Sequence, residues 1–167
     1  MERVKSTLDR VLGAFCVVLF AVLVLVVAWQ VFTRQVLDNP SGWSEETAKY
    51  VFVWLSLFGA ALVFGERGHI VVDVAVKKVP EGAQRVIGLL MKVGILAFAG
   101  LVLVYGGLML ATNTWSIAVA GLPATVGPLY LALPISGVLV VFYTVYHLVA
   151  IAGRAESAID DAEPDVI

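Results

Sequence analysis

Charged residues are scarce in this chain, and cysteine is nearly absent. From Val93 to Gly153 the sequence contains no Lys, Arg, Asp or Glu. A water-soluble domain places charged side chains every few residues, whereas an ionised group at the centre of a bilayer costs about 2.5–3.5 kcal/mol on insertion scales. The uncharged run therefore excludes a soluble domain. It predicts two membrane helices joined by a short polar turn that begins near Thr112.

The overall composition agrees with a membrane protein. Of the 167 residues, 60% are hydrophobic and 14% are charged, compared with about 25% charged in an ordinary globular domain. The net charge of −2 gives no support to a nucleic-acid-binding function. Because Cys16 is the single cysteine, an intramolecular disulfide and a cysteine-based metal cluster are excluded. Its place in an apolar run predicts a buried thiol that acts as a small hydrophobe.

Four apolar runs are long enough to cross a bilayer, which takes about 20 residues each. The predicted fold is an all-α integral membrane protein with one domain, residues 1–155, of four transmembrane helices. We place the spans at about 11–33, 46–66, 84–112 and 128–152. Basic residues before the first span also suit a signal peptide, but the run is longer than such peptides have and lacks a small-residue cleavage site. Pro134 is expected to kink the fourth span.

Basic residues predict the orientation of the spans. Nine of the eleven Lys and Arg residues fall on the side of the N terminus, and only Arg34 and Lys49 fall on the other side. Loops rich in Lys and Arg stay in the cytoplasm. We therefore expect both termini to be cytoplasmic, and we expect the acidic tail, residues 156–167, to be disordered and solvated.

The connection after the first span holds the first group of candidate residues, Arg34, Trp43, Glu45 and Glu46. One interpretation is a helix start, in which Ser44 is the N-cap and the two acids complement the positive end of the helix dipole. Trp43 would lie at the headgroup level, where indole rings collect. The second interpretation is that the acids face a partner or pair with Arg34. Both can hold together, because consecutive side chains on a helix point in different directions.

The connection between spans two and three holds the second group. His69, Asp73 and Lys77 recur every four residues, with Asp73 before Lys77 in the favourable order for a helical ion pair. This spacing predicts a short amphipathic helix at the membrane interface, ended by Pro80. The alternating valines of the same segment also permit a strand.

Histidines and small residues suggest two further features. His69 and His147 are expected near the cytoplasmic ends of spans two and four, where they could ligate a haem or simply be polar tips. On a helical wheel, span three has a narrow face of small residues formed by Ala97, Gly100, Gly107 and Ala111. Small residues let membrane helices approach closely, so we expect this face to be a packing surface.

Several kinds of chemistry find no support in the sequence. It has no glycine-rich phosphate loop, no zinc-ligand spacing and no pair of nucleophile and base that could be argued. A carrier that acts alone needs polar or charged groups near the bilayer midplane, whereas spans one and four, and span two from Tyr50 to Gly65, have no charged residue. We therefore predict that the chain is not an enzyme and binds no cofactor, and that it is a scaffold or accessory subunit.

A series of motifs gives the chain a family resemblance that covers all four spans. Arg34 follows span one, and Trp43-Ser44-Glu45-Glu46 precedes span two. Span two contains Trp54 and Gly59-Ala60. The remaining motifs are Arg67-Gly68-His69-Ile70, Val72-Asp73 and the segment from Pro128 through Tyr130 to Pro134. In this order and spacing, the chain resembles the small membrane subunit, DctQ-like, of tripartite ATP-independent periplasmic (TRAP) transporters.

The resemblance implies a bacterial inner-membrane protein that pairs with a large membrane subunit. That subunit would import an organic acid, delivered by a periplasmic binding protein, on a sodium or proton gradient. On the periplasmic side, Trp43, Glu45 and Glu46 would then form a helix cap with Arg34 or contact the binding protein. His69 and Asp73 would fix the cytoplasmic connection between spans two and three. The alternatives are a haem-binding or structural membrane anchor of a redox complex, an assembly or structural protein with no transport partner, and a small drug exporter. Such exporters rely on an acidic residue in the first span, which is missing here.

Overall fold

The computed structural model describes residues 2–65 and 81–152, whose backbone is almost entirely helical. Four helical stretches are long and apolar enough to cross a membrane, which confirms the predicted all-α fold with four spans. The third and fourth spans are each interrupted, so that the chain has seven helical segments within the described ranges. These are α1 (Glu2–Gln35), α2 (Gly42–Gly65), α3 (Glu81–Phe98), a π-helical segment (Ala99–Gly106), α4 (Gly107–Asn113), α5 (Val126–Tyr130) and α6 (Ala132–Ala152).

Two of the predicted features are not tested by the structure. The interfacial helix expected between spans two and three, and the acidic tail, lie outside the described residues.

Helix α2 begins at Gly42, four residues before the predicted start of span two. Ser41 precedes the helix, and its carbonyl accepts a bond from the Ser44 N–H at 3.2 Å. Ser44 therefore lies inside the first turn, and the N-cap position belongs to Ser41.

The fourth span breaks at Leu131, between α5 and α6. Pro134 explains the position of the break, because it has no N–H to donate to the carbonyl of Tyr130, four residues earlier, and its ring crowds that carbonyl. The helix resumes at once, and the N–H of Ile135 bonds to the carbonyl of Leu131 at 3.1 Å. The kink expected from Pro134 thus takes the form of a break in the helix, about one turn before the proline.

The spans are arranged in a row. Helix α1 packs along α2, α2 packs along α6, and α6 packs against α3 and the π-helical segment, whereas α1 has no extended packing with the third span among the described residues. A row leaves two broad faces uncovered. Large apolar side chains project from both outer spans and from the middle, and Val17 and Leu25 of α1 and Leu101 of the third span are each 69% exposed. Lipid, rather than water, is the solvent that suits such faces.

An aromatic cluster joins α1 to α2. The ring of Phe15 meets Phe58 edge-on at 5.2 Å between centroids and Trp54 at 6.4 Å, and Trp54 stacks on Phe58 at 5.5 Å. Edge-to-face and offset arrangements of this kind stabilise contacts beyond the area that they bury. The cluster continues into the central core of the row, whose buried members include Leu12, Phe58, Ala61, Ala99, Ala132, Val140 and Tyr143.

The π-helical segment changes which face of span three is buried. Ala99, Gly107 and Ala111 are buried, whereas Ala97 is exposed and Gly100 has open space beside it. The sequence prediction was therefore right for Gly107 and Ala111 and wrong for Ala97 and Gly100. The reason is that i→i+5 bonding widens each turn, so that positions 99, 107 and 111, which are eight and four residues apart, share the buried face.

Two glycines let α6 approach the third span closely. A Cβ on Gly137 would lie 2.7 Å from the Leu103 Cβ, and one on Gly107 would lie 2.8 Å from the Leu133 Cβ. In lipid, helices associate by such close packing, because the surrounding chains are as apolar as the side chains. The pair of glycines therefore fixes α6 against the third span.

We expect Gly137→Ala to destabilise the protein by about 1–3 kcal/mol, because the added methyl group overpacks the contact with Leu103. Gly94→Ala is the matched control, since a Cβ at Gly94 meets nothing within 4 Å and alanine has the higher helix propensity. Thermal unfolding of both variants in detergent measures the difference. Equal melting temperatures for the two variants would show that this close packing does not exist.

Candidate functional site

The candidate site is the side of the row opposite the termini, formed by residues 34–49 and 114–125, which we call the loop surface. A cluster of buried hydroxyl groups joins α1 to α2 there. Thr33 and Ser44 are 4% and 0% exposed. The Oγ of Ser41 lies 2.5 Å from the Oγ of Ser44 and 3.4 Å from the Oγ1 of Thr33. Thr33 also donates to the carbonyl of Gln30 at 3.0 Å, so every buried hydroxyl of the cluster has a partner.

The second connection folds against the first. Residues 117–126 form a tight loop, closed by bonds from the Val119 N–H to the Ala124 carbonyl at 2.9 Å and from the Val126 N–H to the Ile117 carbonyl at 2.8 Å. At the tip of this loop, Gly121 has a φ of +76°. A Cβ at this position would lie 3.4 Å from the backbone nitrogen of Trp43. Glycine suits this position because it adopts positive φ without strain. The two connections therefore form one continuous surface.

Glu45 and Glu46 share a single cation. The Nζ of Lys49 lies 2.9 Å from Glu45 Oε1 and 2.9 Å from Glu46 Oε1. The two carboxylates are four and three residues before Lys49, and both spacings place side chains next to each other on a helix. The expectation that consecutive acids point in different directions was therefore incomplete. The side chain of Glu45 is 58% exposed and that of Glu46 is 26% exposed, so the acids remain accessible to a partner.

Arg34 and Trp43 occupy the two ends of the first connection. Arg34 lies in the last turn of α1, where a cation complements the negative end of the helix dipole. Lys49, rather than Arg34, is the cation that pairs with the acids among the described residues. Trp43 is 44% exposed, and its carbonyl accepts the hydroxyl of Thr47 at 2.7 Å. The position of Trp43 at the end of a span suits an indole at the membrane interface.

Trp54 connects α2 to the broken fourth span. Its Nε1 donates to the carbonyl of Leu129 at 2.8 Å. Leu129 lies in the last turn of α5, where backbone carbonyls have lost their helical donors. An unsatisfied carbonyl costs several kcal/mol in hydrocarbon. The indole thus satisfies a backbone group that the break exposes, and it holds the base of the loop surface to α2.

The second group of candidates, in the connection between spans two and three, is not tested by the structure. His69 and Asp73 lie outside the described residues, as does the side chain of His147. Within the described part of the chain, no three His, Cys, Asp or Glu side chains lie together in a group that could hold a metal ion. Of the six candidate residues, the structure brings together Glu45 and Glu46 through Lys49 and places Trp43 and Arg34 on the same surface.

Sequence reasoning missed the hydroxyl cluster and the hydrogen bond of Trp54. Ser41 and Ser44 are three residues apart at the start of α2, which is a spacing that could have indicated a local hydroxyl pair. The Trp54 bond joins residues 75 positions apart. Its signal was the pair of prolines, Pro128 and Pro134, which predict a break with unpaired carbonyls but do not identify the donor.

The comparison with known families identifies the chain. Residues 23–154 match the family described as the DctQ component of tripartite ATP-independent periplasmic transporters. The chain therefore belongs to the DctQ family of TRAP transporter components, as the sequence motifs predicted, and it is a multi-pass protein of the inner membrane. The family is a transporter component, which is not an enzyme class.

Individual relatives agree with this assignment. The sialic acid TRAP transporter small permease protein SiaQ of Vibrio cholerae is 27% identical over 143 residues, which cover 85% of this chain and 82% of SiaQ. The C4-dicarboxylate TRAP transporter small permease protein DctQ of Pseudomonas aeruginosa is 34% identical over 84 residues, or 49% of this chain and 37% of the relative. The sialic acid TRAP transporter permease protein SiaT of Haemophilus influenzae is 29% identical over 73 residues, or 44% and 11%.

We expect Trp54→Phe to lower the free energy of unfolding by about 1–3 kcal/mol, because the carbonyl of Leu129 is left without its donor. Trp29→Phe is the matched control, since it removes the same atoms from a side chain that is 46% exposed. Thermal unfolding in detergent compares the two variants. A Trp54→Phe protein as stable as Trp29→Phe would contradict the structural role of the indole N–H.

Proposed function

We propose that this chain is the small subunit that pairs with the large membrane subunit of a TRAP transporter and enlarges the stationary scaffold of the complex. The large subunit carries the substrate, driven by an ion gradient, and a periplasmic binding protein delivers it. The observation that carries the proposal is the open row of apolar helices in a DctQ-family chain. A row with two uncovered faces offers the lateral surface that a scaffold subunit needs.

The distribution of charge supports a scaffold rather than a transport pathway. Charged side chains of the described spans lie toward their ends, as with Asp9 and Arg10 in α1 and Glu45, Glu46 and Lys49 in α2. Substrate and ion pathways through membranes use polar or charged groups near the midplane. The central part of each described span has no charged side chain that could bind an anionic substrate. The substrate pathway therefore belongs to the large subunit in this proposal.

The class of substrate follows from the relatives. Their names specify sialic acid for SiaQ and C4-dicarboxylates for DctQ, and both are carboxylic acids. We propose an organic acid as the substrate of the complex that contains this chain. The similarity to part of SiaT, which is a permease protein, supports the pairing of the small subunit with a larger one.

The orientation is part of the same proposal. With nine of the eleven basic residues on the side of the N terminus, that side is cytoplasmic. The loop surface then faces the periplasm and presents Trp43, Glu45 and Glu46 to the binding protein. We propose for His69 and Asp73 the role of fixing the cytoplasmic connection between spans two and three.

Co-purification and uptake test the pairing. We expect this chain, isolated from its native membranes in mild detergent, to bring with it a much larger multi-span protein in equal amount. Proteoliposomes that contain the large subunit and the binding protein should take up the organic acid only when this chain is included. Recovery of the chain alone, or full uptake without it, would contradict the proposal. Recovery with a soluble redox subunit and a Soret absorption band would instead support the redox-anchor alternative.

A second experiment tests the acids of the loop surface. We expect Glu45→Gln with Glu46→Gln to leave the melting temperature close to that of the wild type, because exposed ion pairs contribute little to stability. The initial rate of uptake at low salt and limiting binding protein should fall by about tenfold, because charge complementarity increases the rate of association.

Asp38→Asn is the matched control for the double variant. It removes a negative charge from the same connection but away from α2, and asparagine tolerates the positive φ of 51° at this position. Added salt should reduce the difference between the double variant and the wild type, because it screens exposed charges. Unchanged uptake by the double variant would assign both acids to the helix start alone.

A further inference from the structure

A second polar cluster lies at the opposite end of the row from the loop surface. The carboxylate of Asp9 uses both of its oxygens: Oδ2 accepts from the Nζ of Lys5 at 3.0 Å, and Oδ1 accepts from the hydroxyl of Tyr143 at 2.6 Å. Lys5 and Asp9 belong to α1, whereas Tyr143 belongs to α6 and is 134 residues away in sequence from Asp9. We call Lys5, Asp9, Gly65 and Tyr143 the inner cluster.

The inner cluster is closely packed as well as hydrogen-bonded. Tyr143 is 0% exposed, and a Cβ on Gly65, the last residue of α2, would lie 2.8 Å from its ring. Helix α2 can therefore pass Tyr143 only because residue 65 has no side chain. The bond length of 2.6 Å is in the range for a hydroxyl that donates to a carboxylate, which is about twice as strong as a neutral hydrogen bond.

The position of this bond in the row gives it a specific consequence. Helix α1 packs mainly along α2. At the loop surface its end is tied to α2 by Thr33 and Ser41, and the aromatic cluster holds its middle. The Asp9–Tyr143 bond is thus a direct polar link between α1 and α6, and it acts across the end of α2.

We propose that the Asp9–Tyr143 bond, with Tyr143 packed against Gly65, holds the N-terminal end of α1 in the row and so determines the direction in which α1 presents its exposed face. Without the bond, the N-terminal end of α1 separates from α6 while the other end remains attached. In the complex, α1 would then present a displaced surface to the large subunit. This last consequence rests on the function proposed above.

Thermal unfolding and a distance measurement test the proposal on the full chain in nanodiscs. Tyr143→Phe keeps the ring and removes the hydroxyl, and we expect it to lower the melting temperature by about 2–6 °C. Asp9→Ala should have a similar effect, and the double variant should lose clearly less than the sum of the two, as interacting pairs do. Tyr105→Phe is the matched control, because Tyr105 is 68% exposed.

Spin labels on cysteines at Ser6 and Val145, in a Cys16→Ala background, report the separation of α1 and α6. We expect a narrow distribution of distances in the wild type and in Tyr105→Phe, and a broader, longer one in Tyr143→Phe and in Asp9→Ala. Additive losses of melting temperature together with a narrow distribution in Tyr143→Phe would overturn the proposal.

The partner makes the two proposals separable. The distances are measured on the chain without the large subunit, so their outcome does not depend on the pairing. In co-purification, Tyr143→Phe should recover less of the large subunit than Tyr105→Phe does. If the wild-type chain recovers no large subunit, the proposed function fails. Broader spin-label distances in Tyr143→Phe and Asp9→Ala would still support the proposed role of the inner cluster.

Discussion

The structure depends on one constraint, which is that backbone polar groups inside a bilayer must find their partners within the protein. Helices meet this constraint along their length, and the difficulties arise where a helix ends or breaks. At the break before α6, the indole of Trp54 takes the carbonyl of Leu129. At the turn between α1 and α2, the hydroxyls of Thr33, Ser41 and Ser44 bond to one another and to nearby carbonyls. At both of these points, side chains supply partners that the helical backbone lacks.

The same environment explains how the helices are held together. Because lipid chains are as apolar as the side chains, no hydrophobic driving force brings helices together in a bilayer. The helices therefore associate through close packing and a small number of polar bonds. Both are visible in the row. Gly137 and Gly107 bring α6 against the third span, and Gly65 lets Tyr143 fill the space at the end of α2. Among the described residues, few apolar side chains are buried inside the protein, and many are exposed. Such an exposed apolar surface is normal for a protein in lipid.

The sequence was sufficient for the number and type of the spans, because hydropathy and the length of each uncharged run depend on composition alone. It was insufficient wherever geometry departs from the α-helical period. A wheel drawn at 100° per residue selected Ala97 and Gly100, whereas the π-helical segment buries Ala99. For the candidate site, Glu45 and Glu46 were found as a pair of acids, but the cation considered for them was Arg34, whereas the structure pairs both with Lys49. No local pattern could have joined Asp9 to Tyr143.

The charged side chains of the described spans lie mainly at the two ends of the row, and this separation supports the scaffold role proposed above. At one end, the loop surface carries accessible acids on a base made rigid by Trp54 and the hydroxyl cluster. At the other end, the inner cluster joins α1 to α6 across α2. Between them, the spans have uncharged faces and close glycine contacts, which resist rearrangement because packed helices have few alternative arrangements. A subunit against which another moves needs this rigidity, and a carrier that changes shape around a substrate would need the opposite.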